Sequence, residues 1–235
     1  MIAAGGPVIP NFGQGSACER SNGWFCTDWL HAHWGDTLQP ALVQHVWLSA
    51  LAVGIGFAIA FALALVGFRH RLFDAGIGAL ADFLYTIPSL ALFQLLVPFT
   101  GLTVTTVEIA LVSYTLLVLY RNMTEGLRGV PADVLEAARG MGLTRTQTFL
   151  RVELPLALPA ILAGLRIATV STISVATVAA FVIPEGLGAP IFIALDQNLF
   201  KTEIVAAGGL AVALALFADG LLVLGQRAAT PWSRA

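Results

Sequence analysis

The sequence predicts an all-α integral membrane protein with about five transmembrane helices, its N-terminus outside the membrane and its C-terminus inside. Of its 235 residues, 57% are hydrophobic and only 11% are charged, whereas a soluble domain carries about 25% charged residues. The apolar residues concentrate in five stretches, each long enough to cross a bilayer core of about 30 Å. These stretches cover roughly residues 42–66, 75–98, 103–120, 157–183 and 203–224.

The basic residues set the orientation, because loops rich in Lys and Arg stay on the cytoplasmic side. Of the twelve Lys and Arg residues, nine lie in the turn at 66–74, the segment at 121–156 or the tail from 225, which all lie on the same side of the membrane. Only Arg20 and Lys201 lie on the opposite side, and Arg166 falls within the fourth stretch. Those nine are Arg69, Arg71, Arg121, Arg128, Arg139, Arg145, Arg151, Arg227 and Arg234. The predicted division is an extracytoplasmic tail at 1–40, a transmembrane domain at 41–227 and a cytoplasmic tail at 228–235.

The N-terminal tail carries three tryptophans at intervals of five residues, Trp24, Trp29 and Trp34. Tryptophan is enriched at membrane–water interfaces, so we expect a loosely ordered tail with some interfacial contact. Cys18 and Cys26 could pair if this tail faces an oxidising space. No metal-ligand spacing relates the histidines of this region, and we interpret them as interfacial polar residues: His31, His33 and His45.

Charged residues and a proline interrupt the apolar stretches. Pro88 lies in the middle of the second stretch and predicts a kinked helix, because proline removes a backbone hydrogen bond. Asp82, Arg166 and Asp219 lie within one or two turns of predicted cytoplasmic ends, and Glu108 lies near an outer end. Since charge inside a bilayer is costly, we expect snorkelling or mutual pairing of the first three, with a gate-latching ion pair as the sharper alternative. We expect Glu108 at the interface.

Between the third and fourth stretches lies a polar segment with its own helix signals. Gly140 and Gly142 end a short helix, since glycine is unfavourable in a helix interior and suits a C-terminal cap. Thr144 followed by Gln147 predicts the capping box of a second helix. Two prolines, Pro155 and Pro159, are then expected to bend or end that helix. We call this helix, glycine turn and helix, at about residues 131–153, the knuckle.

The knuckle also holds a long, fixed spacing of residues: Glu136-Ala137-Ala138, Gly142, Val152 and Leu154-Pro155. It resembles the signature loop of the membrane subunits of ATP-binding-cassette importers, which is Glu-Ala-Ala, three residues, Gly, nine residues, Ile, one residue, Leu-Pro. Val152 in place of Ile is the one departure. The resemblance implies a short coupling helix that docks on a cytoplasmic ATPase. Its implied coupling residues are Glu136, Ala137, Ala138, Arg139, Gly142, Leu154 and Pro155.

Physical reasoning from the residues leaves a plainer interpretation of the knuckle open. It could be a solvated loop that joins two spans, in which Glu136 and Arg139, three residues apart on one helical face, pair with each other in solvent. Such an exposed pair contributes well under about 1 kcal/mol.

In transporters, the substrate path lies where helices are broken and small polar groups face inward near mid-membrane. The second and fourth stretches meet this description. The candidate residues are Tyr85, Thr86, Pro88, Ser89, Thr172 and Thr177. Packing between helices through small residues explains many such hydroxyl groups without any substrate.

Further short segments are distributed over roughly residues 42–227, among them Thr86-Ile87-Pro88-Ser89-Leu90-Ala91, Gly126-Leu127-Arg128-Gly129-Val130, Ala163-Gly164-Leu165-Arg166 and Gly186-Leu187-Gly188. They resemble the osmoprotectant branch of these importers, the permeases for glycine betaine, choline and similar quaternary amines. Ile183-Pro184-Glu185 departs from the branch, which has a glycine run before Gly-Leu-Gly. Proline and an acid could stiffen this outer loop and alter how it receives substrate.

The resemblance implies a permease subunit in the plasma (inner) membrane that forms half of a translocation pore. The implied partners are a dimer of cytoplasmic ATPases, a second permease, identical or homologous, an extracytoplasmic substrate-binding protein and the lipid bilayer. The sequence lacks a Gly-rich phosphate loop and a metal motif. We therefore expect no catalytic residue, cofactor, metal or nucleic-acid partner in this chain, and ATP hydrolysis by a partner.

Three alternatives remain open at this point. The same class of importer could carry an amino acid, nitrate or a sulfonate. An ion-coupled secondary carrier would need an unpaired acid at mid-membrane, and Asp82 and Asp219 lie too near the predicted ends of their spans. A purely structural membrane anchor does not explain the knuckle.

Overall fold

The computed structural model describes residues 17–197 and 199–234, and these residues form helices and connecting turns with no strand among them. Four helices are long and apolar enough to cross a membrane, and a bent pair provides a fifth crossing if it counts as one span. The prediction of an all-α membrane protein with about five spans is therefore confirmed. Of the predicted outer tail, residues 1–16 lie outside the described part of the chain, as does residue 235 of the predicted inner tail.

Eleven α-helices follow one another in the described residues. They are α1 (Ala17–Arg20), α2 (Thr27–His33), α3 (Gln39–Gly67), α4 (Arg71–Thr86), α5 (Ser89–Thr100), α6 (Val104–Arg128), α7 (Ala132–Gly140), α8 (Arg145–Thr148), α9 (Leu154–Ala179), α10 (Gly188–Gln197) and α11 (Lys201–Ala229). Two π-helical turns, Trp34–Leu38 and Phe149–Glu153, and a closing 3-10 turn, Pro231–Arg234, complete the order.

Helix α6 packs against both α3 and α9, which also contact each other, while α11 packs on α9. Small residues allow these helices to approach closely. A Cβ at Gly164 on α9 would lie 2.5 Å from the Cβ of Asn122 on α6, and a Cβ at Gly56 on α3 would overlap Thr115. The buried core lies along these two contacts, between the spans that hold the polar residues discussed below.

The second predicted span is broken and not merely kinked. Helices α4 and α5 meet at an angle of 99°. Between them Ile87 is extended, with φ −71° and ψ 125°, because the ring of Pro88 disfavours helical backbone at the residue before it. The sequence identified the position of the irregularity but underestimated its size.

The prolines after the knuckle do not end its second helix. Helix α8 continues through the π-helical turn Phe149–Glu153 into α9. In that turn the N–H of Leu154 bonds to the carbonyl of Phe149, five residues back. We attribute the continuity to this wider turn, which lies directly before Pro155, where a proline ring would crowd the carbonyls of a regular helix. The expectation that Pro155 and Pro159 end the helix is therefore wrong, whereas the expected bend stays a prediction.

The described part of the N-terminal tail is ordered, in contrast to the loose tail expected. Cys18 and Cys26 form a disulfide. Behind it Cys26 and Trp29 are buried in a small cluster with Phe200 and Ala207 at the start of α11. Trp29 is therefore a core residue at this end of the molecule, whereas Trp24 and Trp34 are exposed as an interfacial location requires.

Hydrogen bonds fasten this tail to the turn before α11. The side chain of Asn22 donates to the carbonyl of Leu199 and accepts from the N–H of Lys201. Thr202 accepts from the N–H of Cys26 and donates to the carbonyl of Gly23. We call residues 17–38 the cap, because they cover the outer end of α11.

Candidate functional site

The turn between the two helices of the knuckle requires glycine at one position. Gly142 has φ +80°, a left-handed conformation that other L-residues adopt at a cost. The N–H groups of Met141 and Leu143 bond back to the carbonyls of Ala137 and Ala138 at 3.0 and 3.2 Å. These bonds cap the end of α7, as expected of a helix that stops at glycine.

The second helix of the knuckle begins with the predicted capping box. The Thr144 hydroxyl oxygen accepts from the N–H of Gln147 at 3.3 Å, and the Gln147 side-chain oxygen accepts from the N–H of Thr144 at 2.9 Å. The helix, glycine turn and helix predicted from the sequence is therefore confirmed as local structure, and its geometry is held by backbone and capping bonds.

The predicted coupling residues fall into two groups by their solvent exposure. Glu136, Ala137, Arg139 and Gly142 are exposed, whereas Ala138 is 1% exposed and anchors α7 to the protein. Leu154 and Pro155 are half-buried at the start of α9. Among the ion pairs of the described residues, none joins Glu136 to Arg139. The two charged side chains are thus presented to the surroundings and do not neutralise each other.

Beside the knuckle lies a cleft of about 640 Å³, on the side that the charge distribution predicts to be cytoplasmic. Arg69, Arg139 and Arg145 line it together with a single acid, Glu153. The guanidinium of Arg69 lies 4.9 Å from the ring centre of Phe68, a cation–π distance. The cleft is therefore predominantly positive, with one of its arginines held in place by an aromatic ring.

The base of the knuckle is fixed by a cluster of polar contacts that the sequence alone did not reveal. Arg128, the last residue of α6, donates to Asp74 on α4 at 2.6 Å and to the carbonyl of Gly67 at the end of α3 at 2.7 Å. Tyr120 donates to the same carboxylate at 2.8 Å. Three helix ends are thus joined directly before the chain enters α7.

The break between α4 and α5 opens a second concave site, a cavity of about 220 Å³. It gathers five of the six predicted substrate-path residues, which are Tyr85, Thr86, Pro88, Ser89 and Thr172. The sixth, Thr177, does not line the cavity, and its hydroxyl donates to the carbonyl of Ile173 in its own helix. The structure therefore places residues from two distant stretches of the chain around one space.

Helix α6 supplies cavity residues that the sequence reasoning missed. Tyr114 and Thr115 line the space, and the Tyr114 hydroxyl donates to the carbonyl of Ile87 at the break. The rings of Tyr85 and Tyr114 lie 5.8 Å apart between centroids, at 68° to each other. A signal was available, because Ser113, Tyr114 and Thr115 form a polar run in the middle of an apolar stretch.

Each of the three charged residues within the spans has an ion-pair partner, and the gate-latching alternative stays a prediction. Arg166 on α9 pairs with Asp219 on α11 at 2.9 Å, and Asp82 pairs with Arg121 at 2.7 Å. Glu108, predicted to lie at the interface, is buried, and neither of its carboxyl oxygens has a hydrogen-bond partner among the described residues.

His45, predicted to be an interfacial polar residue, is fully buried within the protein. One ring nitrogen accepts from the N–H of Leu187 at 3.1 Å, and the other lies 3.0 Å from the carbonyl of Ile173. His45 therefore joins α3, α9 and the outer loop. Over residues 17–197 and 199–234, no group of three or more His, Cys, Asp or Glu residues could hold a metal ion.

Comparison with known proteins agrees with this architecture. Residues 50–228 match the family described as the inner membrane component of binding-protein-dependent transport systems. The choline transport system permease protein OpuBB of Bacillus subtilis is 36% identical over 198 residues, covering 84% of this chain and 90% of the relative. The glycine betaine/carnitine/choline transport system permease protein OpuCB of the same organism is 34% identical over 189 residues, covering 80% and 86%.

A solved structure shares the fold. A chain of the methionine ABC transporter MetNI, in an inward facing conformation, matches with a TM-score of 0.70 at 20% identity, covering 82% of this chain and 95% of that one. The relatives named above are transport permeases, that is, membrane transport components and not enzymes. By the length of the match and the identity to these relatives, the chain belongs to the family of inner membrane components of binding-protein-dependent transport systems.

Proposed function

We propose that this chain is the permease subunit of an ATP-driven importer for quaternary amines such as glycine betaine or choline. In this proposal it lies in the plasma membrane, pairs with a second permease, and receives its cargo from an extracytoplasmic binding protein. A dimer of cytoplasmic ATPases supplies the energy. The relatives named for choline, glycine betaine and carnitine support this class of cargo, because all three compounds carry a trimethylammonium group.

The geometry of the knuckle is the observation that supports its role in coupling a partner ATPase to the membrane helices. Helix α7 exposes Glu136 and Arg139 while Ala138 holds it to the protein. The contacts of Arg128 with Asp74 and Gly67 join the base of the knuckle to α3 and α4. A displacement of α7 by a partner would therefore be transmitted to three helix ends rather than absorbed by a flexible loop.

The positive cleft beside the knuckle supports a partner that presents acidic groups there. Arg139 belongs both to the exposed face of α7 and to the cleft. Arginine forms strong two-point hydrogen bonds with carboxylates. We infer that the partner ATPase contacts this side of the membrane domain with at least one acidic side chain opposite Arg139.

Glu108 favours a second candidate function, transport as an ion-coupled carrier. This acid, in the second turn of α6, is buried without a hydrogen-bond partner among the described residues, and unpaired acids within membrane spans often bind protons or ions. However, it lies near the predicted outer end of its helix and not at mid-membrane. We therefore treat it as the rival that the experiment must exclude.

The test is uptake of radiolabelled choline and glycine betaine into proteoliposomes that contain this chain, its partner subunits and the binding protein. We expect uptake that needs the binding protein and internal ATP, and that persists when a protonophore and a sodium ionophore dissipate ion gradients. Uptake without ATP that the ionophores abolish and that Glu108→Gln removes would support the ion-coupled carrier instead. Uptake of methionine or nitrate in place of either amine would contradict the cargo.

A further inference from the structure

We infer that Tyr85 and Tyr114 form a binding site for the quaternary ammonium group of the cargo within the membrane domain, at the break between α4 and α5. The inference rests on the proposed function, because the class of cargo is taken from there. It concerns a step after delivery by the binding protein, when the cation crosses the span. From the sequence alone the spans show no aromatic cage, since these two tyrosines are 29 positions apart.

The geometry brings two aromatic rings to the wall of one cavity. Their centroids lie 5.8 Å apart and their planes meet at 68°, an edge-to-face arrangement in which both rings border the cavity. Cations are attracted to an aromatic face within about 6 Å of its centroid, and quaternary ammonium groups are recognised in this way. Tyr85 lines this cavity and is 49% exposed.

The position along the membrane fits a site for passage. Tyr114 follows Val104, the first residue of α6, by ten positions, which places it about 15 Å along the helix at 1.5 Å per residue. That is near the middle of a bilayer core of about 30 Å. The adjacent break in the second span is the kind of irregular backbone that lines substrate sites in transporters.

Three of the hydroxyl groups that line the cavity suit a cation that has no hydrogen to donate. Thr86, Thr115 and Thr172 each donate to a backbone carbonyl of their own helix at 2.7 Å. Since each hydroxyl hydrogen is engaged, only lone pairs of these oxygens are free to face the cavity. A trimethylammonium group offers no N–H donor, and it needs negative potential rather than hydrogen-bond partners.

The absence of an acid from the lining is consistent with a transient site. No Asp, Glu, Lys or Arg is among the residues that line the cavity in the described part of the chain. A carboxylate would hold a cation strongly and delay its release, whereas passage requires binding that favours entry but still permits departure. Two rings and several oxygen lone pairs provide attraction of that weaker kind.

The first experiment measures initial rates of choline uptake in proteoliposomes that contain the full transporter, with saturating loaded binding protein. Tyr85→Leu is expected to lower the uptake rate about 3- to 30-fold, because leucine occupies similar space without a π face. Tyr85→Phe keeps the face and is expected to stay within about twofold of the wild type. Phe83→Leu is the matched control, since Phe83 lies on the same helix, is exposed and does not line the cavity.

A second measurement detects the site without the binding protein. Saturation-transfer NMR on the purified complex of permease and ATPase uses tetramethylammonium as the probe and neutral 3,3-dimethylbutan-1-ol, which lacks the charge, as its comparison. We expect transfer to tetramethylammonium in the wild type and in Tyr85→Phe, its loss in Tyr85→Leu, and little transfer to the neutral alcohol in any of them.

The results distinguish a failure of the tyrosine site from a failure of the proposed function on which it rests. If the wild type takes up choline but Tyr85→Leu matches it in rate and in NMR, the site is overturned and the proposed function stands. Equal losses in Tyr85→Phe and Tyr85→Leu would assign the effect to the hydroxyl group and also overturn the site. If the wild type takes up neither choline nor glycine betaine, the proposed cargo fails, and this assignment of the cavity fails with it.

Discussion

Arg166 on α9 and Asp219 on α11 form a two-point ion pair, with Nε 2.9 Å from one carboxylate oxygen and Nη2 3.1 Å from the other. Both side chains are about one-third exposed. Helix α11 otherwise buries few residues, only Thr202 and Ala207 near its outer end. The pair is therefore a main polar connection between the inner half of α11 and the helix that continues from the knuckle.

Because of this ion pair, we expect that neutralising one of the two residues lowers the stability of the protein more than neutralising both. Arg166→Gln and Asp219→Asn each leave a charge without its counter-ion in a region where unpaired charge is costly. The double variant leaves neither charge, so we expect its melting temperature in detergent to exceed that of the less stable single variant. A double variant with fully additive losses would contradict this. Arg121→Gln, from the more exposed pair with Asp82, is the control and should change stability less.

Gly142 provides a test of the knuckle that depends on backbone conformation alone. A Cβ at this position would meet no atom of the described residues within 4 Å, but φ is +80°. Gly142→Ala should therefore cost about 1–2 kcal/mol in the local stability of the turn and reduce the uptake obtained per ATP hydrolysed. Gly140→Ala is the matched control, because Gly140 is equally open and its φ is not positive. Comparable losses in both variants would show that the left-handed turn is not what matters.

The local features of the chain could be predicted wherever neighbouring residues determine them. The capping box of Thr144 and Gln147, the turn at Gly142 and the five apolar stretches all follow from short spacings. The break at Pro88 was located correctly for the same reason, although its angle of 99° depends on how α5 packs against α6.

The rest depends on contacts between residues far apart in sequence. Tyr114 meets Ile87, and Arg128 meets Asp74, only after the helices have packed. His45 lies near the start of a span, where an interfacial location was the reasonable expectation, and its burial results from the outer loop folding over it. Spacing within one helix does not predict such contacts, because they depend on which helices pack against each other.

The disulfide of the cap leads to a prediction about the outer end of α11. Cys18 and Cys26 close a short loop, and such a bond stabilises a fold by about 2–3 kcal/mol through the unfolded state. In Cys18→Ser/Cys26→Ser we expect faster hydrogen exchange at Lys201, whose N–H bonds to Asn22 within that loop. The exchange at Leu119, on the buried face of α6, should be unchanged. A reducing agent should reproduce the effect in the wild type and add nothing in the variant, and unchanged exchange at Lys201 would contradict the role of the cap.

His45 leads to the last prediction, which concerns the outer loop. Its Nδ1 accepts from the N–H of Leu187, so the proton of the neutral ring lies on Nε2 and is donated to the carbonyl of Ile173. That carbonyl also accepts from Thr177, whereas the N–H of Leu187 depends on the histidine. Removing the ring leaves this buried N–H without its acceptor, which costs about 1–3 kcal/mol.

We therefore expect His45→Ala to lower the melting temperature and to accelerate hydrogen exchange at Leu187 by one to two orders of magnitude, the kinetic equivalent of about 1–3 kcal/mol. His45→Gln should recover part of the loss, because its side-chain oxygen can accept from the same N–H. His31→Ala is the matched control, since that histidine is exposed and lies in the cap. Exchange at Leu187 that stays slow in His45→Ala would show that packing alone holds the loop, and the hydrogen bond would then contribute little.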